Sequence, residues 1–317
     1  MAPQGRAFKP VFDVCLRDRD LRTAVEDVGI GRWAGLRELL ELTGEDWDSR
    51  THRVRVLADA AGGGKCVEAW QVAQPDNTDA LVLRAEVEVV RVFRVAARDG
   101  VVAVDRLDAT ISACITAAQA APKDPMPVVS LLTVARLYPG GHPAIDGWWG
   151  EMQRRDPFNR EACHQALRYF SSRYHGSGQL AQGFARECAQ RAPHGSPLAI
   201  LPLVARVEEY RHRSSRQDSG GSVGLSDMWI DEWAMHDLDT ALDRWFRRRT
   251  RAYAQDVPDL HYLAHALCFG NRVEQAAPVF DLIGDLAAST PWSLTGDPAA
   301  AFGYWRNRAL DLTRRDT

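Results

Sequence analysis

His261 and His265 stand one helical turn apart, so a helix would point both imidazoles the same way, a spacing that can set two ligands on one metal. The residue after His261 is Tyr262, where a zinc hydrolase would carry a glutamate as general base, and Asp259 and Glu274 are the nearest carboxylates along the chain. The expectation is a packed or groove-lining histidine pair with no metal and no cofactor. Trp229 and Trp233 repeat the one-turn spacing. They read either as an aromatic clamp over a ligand or as core, and core is favoured because an indole buries a large apolar surface. Between residues 244 and 251, five arginines interleave with Trp245 and Phe246, a pattern that can hold single-stranded nucleic acid. Asp239 and Asp243 precede Arg247 at helical spacing, which points instead to an ion-paired, solvated face. Gly62-Gly63-Gly64-Lys65 lacks the leading glycine and the trailing Ser or Thr of a phosphate loop, and Ser177 and Ser222 lie in loops with no strand before them. No convergent acid, base and nucleophile emerges.

Helices must carry these residues, because strand signals are scarce. No run alternates apolar and polar residues for long, and the lone Asp-Gly pair, Asp99-Gly100, is flanked by helix patterns. Residues 1–75 read as an irregular section of short helices over 19–28, 33–42, 46–61 and 65–73, stopped by Gly29, Gly44 and Gly62. Residues 76–291 read as helical hairpins: 79–98 with 105–121, 127–137 with 143–155, 159–173 with 177–191, then 196–212, a long helix over 228–254, and 259–269 with 272–288. The Ser/Gly-rich stretch 213–227 has too little to bury and predicts a mobile insertion. A helix over 298–313, within 292–317, would cap the end of one continuous domain. Prolines punctuate the hairpins at nearly one period, with 32 residues from Pro125 to Pro157, 36 from Pro157 to Pro193 and 33 from Pro258 to Pro291.

The last hairpin places Leu260, Leu263, Ala264 and Leu267 before a Gly270-Asn271 turn and Ala276 and Phe280 after it. Ala113, Ala117, Ala120 and Pro125 fit the second helix of an earlier repeat, and Asp156-Pro157-Phe158-Asn159 fits an inter-repeat linker. This resembles a divergent tetratricopeptide-like family of bacterial helical repeats over roughly residues 79–291, although the Trp and Tyr of the usual first helix are missing. The resemblance implies an α-solenoid of stacked hairpins that binds a protein or peptide in a concave groove, and nothing catalytic.

In such a stack the first helix of each hairpin lines the groove. The polar stripe would be Arg84, Glu88 and Arg91, then Ser130 and Thr133, then His164 and Arg168, then Arg206 and Glu209, then His261 and His265. The partner contacts expected on this basis are Arg84, Arg91, His164, Arg168, Arg206, His261 and His265. Guanidinium groups favour carboxylates, so the partner would be acidic. The competing reading is local pairing, as between Arg84 and Glu88 at i,i+4. The function expected is an adaptor or scaffold. An all-α enzyme, or an accessory protein to one, working near His261, His265 and the Trp229–Trp233 helix is the alternative.

Composition narrows the classes further. The chain has 317 residues, 45% of them apolar and 26% charged, with net charge −3, so no global field draws it to nucleic acid or to an anionic membrane. Lys9, Lys65 and Lys123 are the only lysines, and the dominance of arginine reads as the base composition of a GC-rich bacterial genome. The N-terminal residues carry no apolar signal-peptide core, and no run approaches the ~18 apolar residues of a membrane span, so a cytoplasmic protein is expected. The six cysteines are widely spaced without Cys-x-x-Cys and read as free buried thiols.

Overall fold

The computed structural model describes residues 8–216, 224–225 and 227–315. Among them the chain is all-α. The helices are α1 (Arg19–Gly29), α2 (Ala34–Thr43), α3 (Trp47–Ala61), α4 (Cys66–Ala73), α5 (Thr78–Asp99), α6 (Val104–Ala120), α7 (Met126–Val134), α8 (Ile145–Arg155), α9 (Arg160–Tyr169), α10 (Gly178–Arg191), α11 (Leu201–Arg216), α12 (Asp227–Ile230), α13 (Glu232–Ala241), α14 (Asp256–Phe269), α15 (Ala277–Ile283) and α16 (Pro298–Arg315). No strand forms among the described residues, and a single bridge pairs Val11 with Leu286. No helix among them is long and apolar enough to cross a membrane. All six cysteines are unbonded, and all but the half-buried Cys188 are buried.

Side-chain caps set many of the helix starts. Asp18, Asn77, Asn159 and Asp231 each accept the amide of the residue three positions on, at 2.8–3.0 Å, satisfying a donor that the first turn leaves open. Gly100 closes α5 in the left-handed conformation at φ 78°, where a side chain would be strained. Asp231 also breaks the long helix expected over 228–254. Its backbone is extended at ψ 154° while its carboxylate caps α13, so α12 and α13 are separate helices, and α13 runs on into a π-turn over Leu242–Phe246. The insertion expected over 213–227 has its first four residues in α11 and its last in α12; residues 217–223 and 226 lie outside the described residues.

The described residues form two compact units, one of residues 17–184 and one of residues 8–16 with 185–317. In the first, α3, α5, α7 and α9 pack in succession, and α3 also touches α7. Helices α4, α6 and α8 pack on these from outside, and Trp33 stacks on the buried Trp70 with ring centroids 6.1 Å apart. In the second, α14, α15 and α16 enclose Phe280, Trp292 and Phe302. Residues 8–16 belong to this unit: the Val11 amide donates to the Asp285 carbonyl at 2.8 Å, and the Ala287 amide donates to the Val11 carbonyl at 2.7 Å.

Candidate functional site

The inner face of unit 17–184 is closed. Arg55 of α3 reaches Glu86 of α5 at 3.5 Å and Glu161 of α9 at 3.3 Å, and both carboxylates are buried. Ser130 of α7 donates to Glu86 at 2.6 Å, Gln165 donates to Glu161 at 2.5 Å, and Arg136 joins Gln165 to the Tyr174 hydroxyl at 2.5 Å each. The Asn159 amide donates to Thr51 at 3.3 Å, a second tie between α9 and α3. Burial pushes the Glu86 carboxyl up, against the pull of Arg55 and Ser130. Burial acts the same way on Glu161, but Arg55, Arg160 and Arg168 overcome it and hold that carboxyl far below the usual range. Burial and the nearby Arg160 push His52 down to about 4, and burial with Arg160 and Arg168 pushes His164 well down too.

His164 was expected on an open stripe and is buried instead, on a helix that packs against α7 and is tied to α3 through Arg55 and Glu161. Ser130 and Thr133 are buried with it. Arg168 is half-buried and acts on Glu161 from the same helix. Periodicity missed Arg55, Glu86, Glu161, Gln165 and Arg136. The signal was present in Glu86, an acid on the apolar flank of α5, two residues from the stripe member Glu88.

The outer surface of the same unit holds the stripe residues of α5. Arg84 pairs with Glu88 at 2.9 Å and lies 3.6 Å from Glu68 of α4. Arg91 pairs with Glu68 at 2.7 Å and Glu88 at 2.8 Å, and donates to the Gly62 and Gly64 carbonyls at 3.1 and 2.7 Å, closing the glycine turn between α3 and α4. Burial works to raise Glu68, yet Arg91 and Arg84 hold it below the usual carboxylate range. Beside these pairs lies a concavity of about 470 Å³ lined by Gln71, Arg84, Glu88, Arg106, Ala109, Thr110 and Ala113. Ala109 and Ala113 of α6 make room for it between Arg106 and Thr110 of the same helix. The exposed guanidinium of Arg106 has no ion-pair partner among the described residues. Arg84, Arg91 and Arg106 face two carboxylates, Glu68 and Glu88, so the neighbourhood carries a surplus of one positive charge.

In unit 8–16 with 185–317, His261 and His265 are buried on α14 rather than exposed to a partner, because α15, α16 and the Trp292 turn cover the helix. The His261 Nε2–H donates to the Leu286 carbonyl at 2.9 Å, and Nδ1 accepts the Trp292 indole N–H at 2.8 Å, so one neutral tautomer is fixed. Burial holds His261 at about 4 despite the Leu286 bond, and holds His265 at about 3. His265 packs among Trp229, Phe269 and Trp292, and neither of its ring nitrogens has a hydrogen-bond partner among the described residues. No group of three or more His, Cys, Asp or Glu residues that could hold a metal comes together among the described residues.

The two tryptophans do not share a face. Trp229 ends in the core at 1% exposure, and Trp233 stands out at 63%. The Arg186 guanidinium lies 4.8 Å from the Trp233 ring centroid and is itself held by Asp237 through two 2.9 Å bonds. Arg206 is paired with Asp231 at 2.7 and 3.2 Å. Asp231 caps α13, and Trp233 is the second residue of that helix. In the arginine run, Arg247 pairs with Asp243 as expected, whereas Asp239 pairs with Arg272 at 2.6 Å. Arg244 donates to the Gln190 and Ala192 carbonyls, and Arg249 stacks on Phe246. Comparison of the chain with known protein families, curated proteins and solved structures gives no match.

Proposed function

We propose that this chain is a helical protein- or peptide-binding module, an adaptor or scaffold that engages an acidic segment of its partner, as the likeness to tetratricopeptide-like repeats implies. One observation carries the reading: the concavity beside α4, α5 and α6 sets Arg84, the unpaired Arg106 and the Gln71 amide around one space. A planar guanidinium binds a carboxylate through two parallel hydrogen bonds, and Arg106 spends nothing on an internal partner. The buried stripe residues His164, His261 and His265 serve packing in this reading, so the contact set is Arg84 with Arg106 and Gln71.

The test is binding of a fluorescent glutamate-rich peptide followed by anisotropy. Arg106→Gln is expected to weaken binding about tenfold while leaving the melting temperature unchanged, because the side chain is exposed and supports nothing. Arg84→Gln should act in the same direction, and both effects should shrink as salt screens the contact over about 8 Å at physiological ionic strength. Binding indifferent to both variants would remove the concavity from the function.

A further inference from the structure

The outward side of α13 carries a second kind of surface. Ile230, just before the helix, is 52% exposed, and Trp233 in its first turn is 63% exposed. The indole is held in place: Arg186 supports it at 4.8 Å, and Asp237 holds Arg186 from both oxygens. A large aromatic group fixed in the open loses little conformational entropy when a partner covers it, and tryptophan is enriched among the residues that dominate interface energies.

The charges around it sort by depth. Asp231 and Asp239 are 47% and 54% exposed, while their partners Arg206 and Arg272 lie beneath at 15% and 16%. Glu232 and His236 are also exposed, and Asp237 is buried under Arg186. A partner therefore meets three carboxylates, an indole and an isoleucine, with Arg206 and Arg272 drawn inward and Arg186, 30% exposed and neutralised by Asp237, against the indole. Carboxylates beside an aromatic ring attract a cation with an apolar stem, because the ring quadrupole and the acids act on the same charge.

We propose that the α13 surface around Trp233 docks a basic, apolar-flanked segment of a protein partner, with a lysine or arginine side chain lying on or beside the indole between Asp231 and Glu232. This goes beyond the acidic-segment reading and uses different residues, in the other unit, so either can fail alone. Two separate docking surfaces on one chain suit an adaptor.

The probe is an acetylated, amidated peptide alternating lysine and leucine, compared with its glutamate–leucine counterpart, titrated into the full chain and read by calorimetry. The lysine peptide is expected to bind, Trp233→Ala to weaken it at least tenfold, and Trp233→Phe to retain most of the affinity. Glu232→Lys should weaken it severalfold with the melting temperature unchanged. Arg106→Gln should have no effect on this peptide. Failure of the lysine peptide to bind, equal binding of the glutamate peptide, or indifference to both Trp233→Ala and Glu232→Lys overturns the proposal.

Discussion

Arg55 is the residue on which the interior of unit 17–184 turns. One guanidinium stands between two buried carboxylates from different helices, and removing one partner of a buried ion pair leaves charge without compensation. Arg55→Met is expected to cost about 3–5 kcal/mol in urea denaturation, and a second change, Glu86→Gln, should recover part of it by removing one of the stranded charges. The buried histidines make a separate statement about pH. His52 and His261 are held at about 4, below the value near 6.5 of an unfolded chain, so the unfolded state binds more protons between those values. Their contribution is therefore full above about pH 6.5 and is lost as pH falls toward 4. For His261 the geometry agrees, since protonating Nδ1 would break the Trp292 bond. Stability should fall by several kcal/mol between pH 7 and 4, and His261→Asn should flatten that dependence, read from denaturation midpoints across the range. None of this was legible as chemistry in the sequence. Periodicity shows that His261 and His265 share a face, but the same spacing serves a groove, a metal or a packed core, and only the neighbouring helices decide.

Elements were more legible than the faces they present. Glycine stops, capping residues and apolar spacing act locally, so the helices over 19–28, 79–98, 105–121 and 298–313 fall where those signals put them, within a residue or two at most ends. The helix over 228–254 failed for a local reason as well: Asp231 satisfies its cap only by leaving the helix. Faces depend on tertiary partners. Residues 46–61 were set apart from the hairpins, yet α3 supplies Arg50, His52 and Arg55 to the helices that follow. Arg155 shows how one residue can fix an element boundary. At the end of α8 it donates to the Ala118 and Ala121 carbonyls at the end of α6, at 3.0 Å each, and to the Asp124 carbonyl in the turn before α7, at 2.7 Å. A lysine brings all its donors from one nitrogen and has no Nε–H to keep the 2.7 Å bond to Glu151, so Arg155→Lys should lose about 1–3 kcal/mol, most of the loss seen with Arg155→Ala. Thermal denaturation of the two variants side by side would check this.

At the scale of the whole molecule, the chain contributes to one unit from both sides of the other. Residues 8–16 fold with residues 185–317, and the ties are specific: the Val11 backbone exchanges two hydrogen bonds with residues 285 and 287, Phe8 meets the buried Phe302 edge-on at 5.5 Å, and Arg306 stacks over Phe8 at 4.2 Å. No periodic signal announces this, because a short extended segment has neither a helical face nor a strand partner nearby in sequence. Its removal should act on one unit and spare the other. With residues 1–16 deleted, the Asp285 carbonyl and the Ala287 amide lose their Val11 partners, and Phe302 loses an aromatic neighbour. Hydrogen exchange read by mass spectrometry should then show faster exchange in peptides covering α14, α15 and α16. Peptides covering α3, α5, α7 and α9 should keep their protection, since Arg55, Glu86 and Glu161 pair with one another inside residues 17–184. Equal loss in both sets would mean that the two units unfold as one cooperative body. No loss in either would mean that the Val11 pairing contributes nothing to stability.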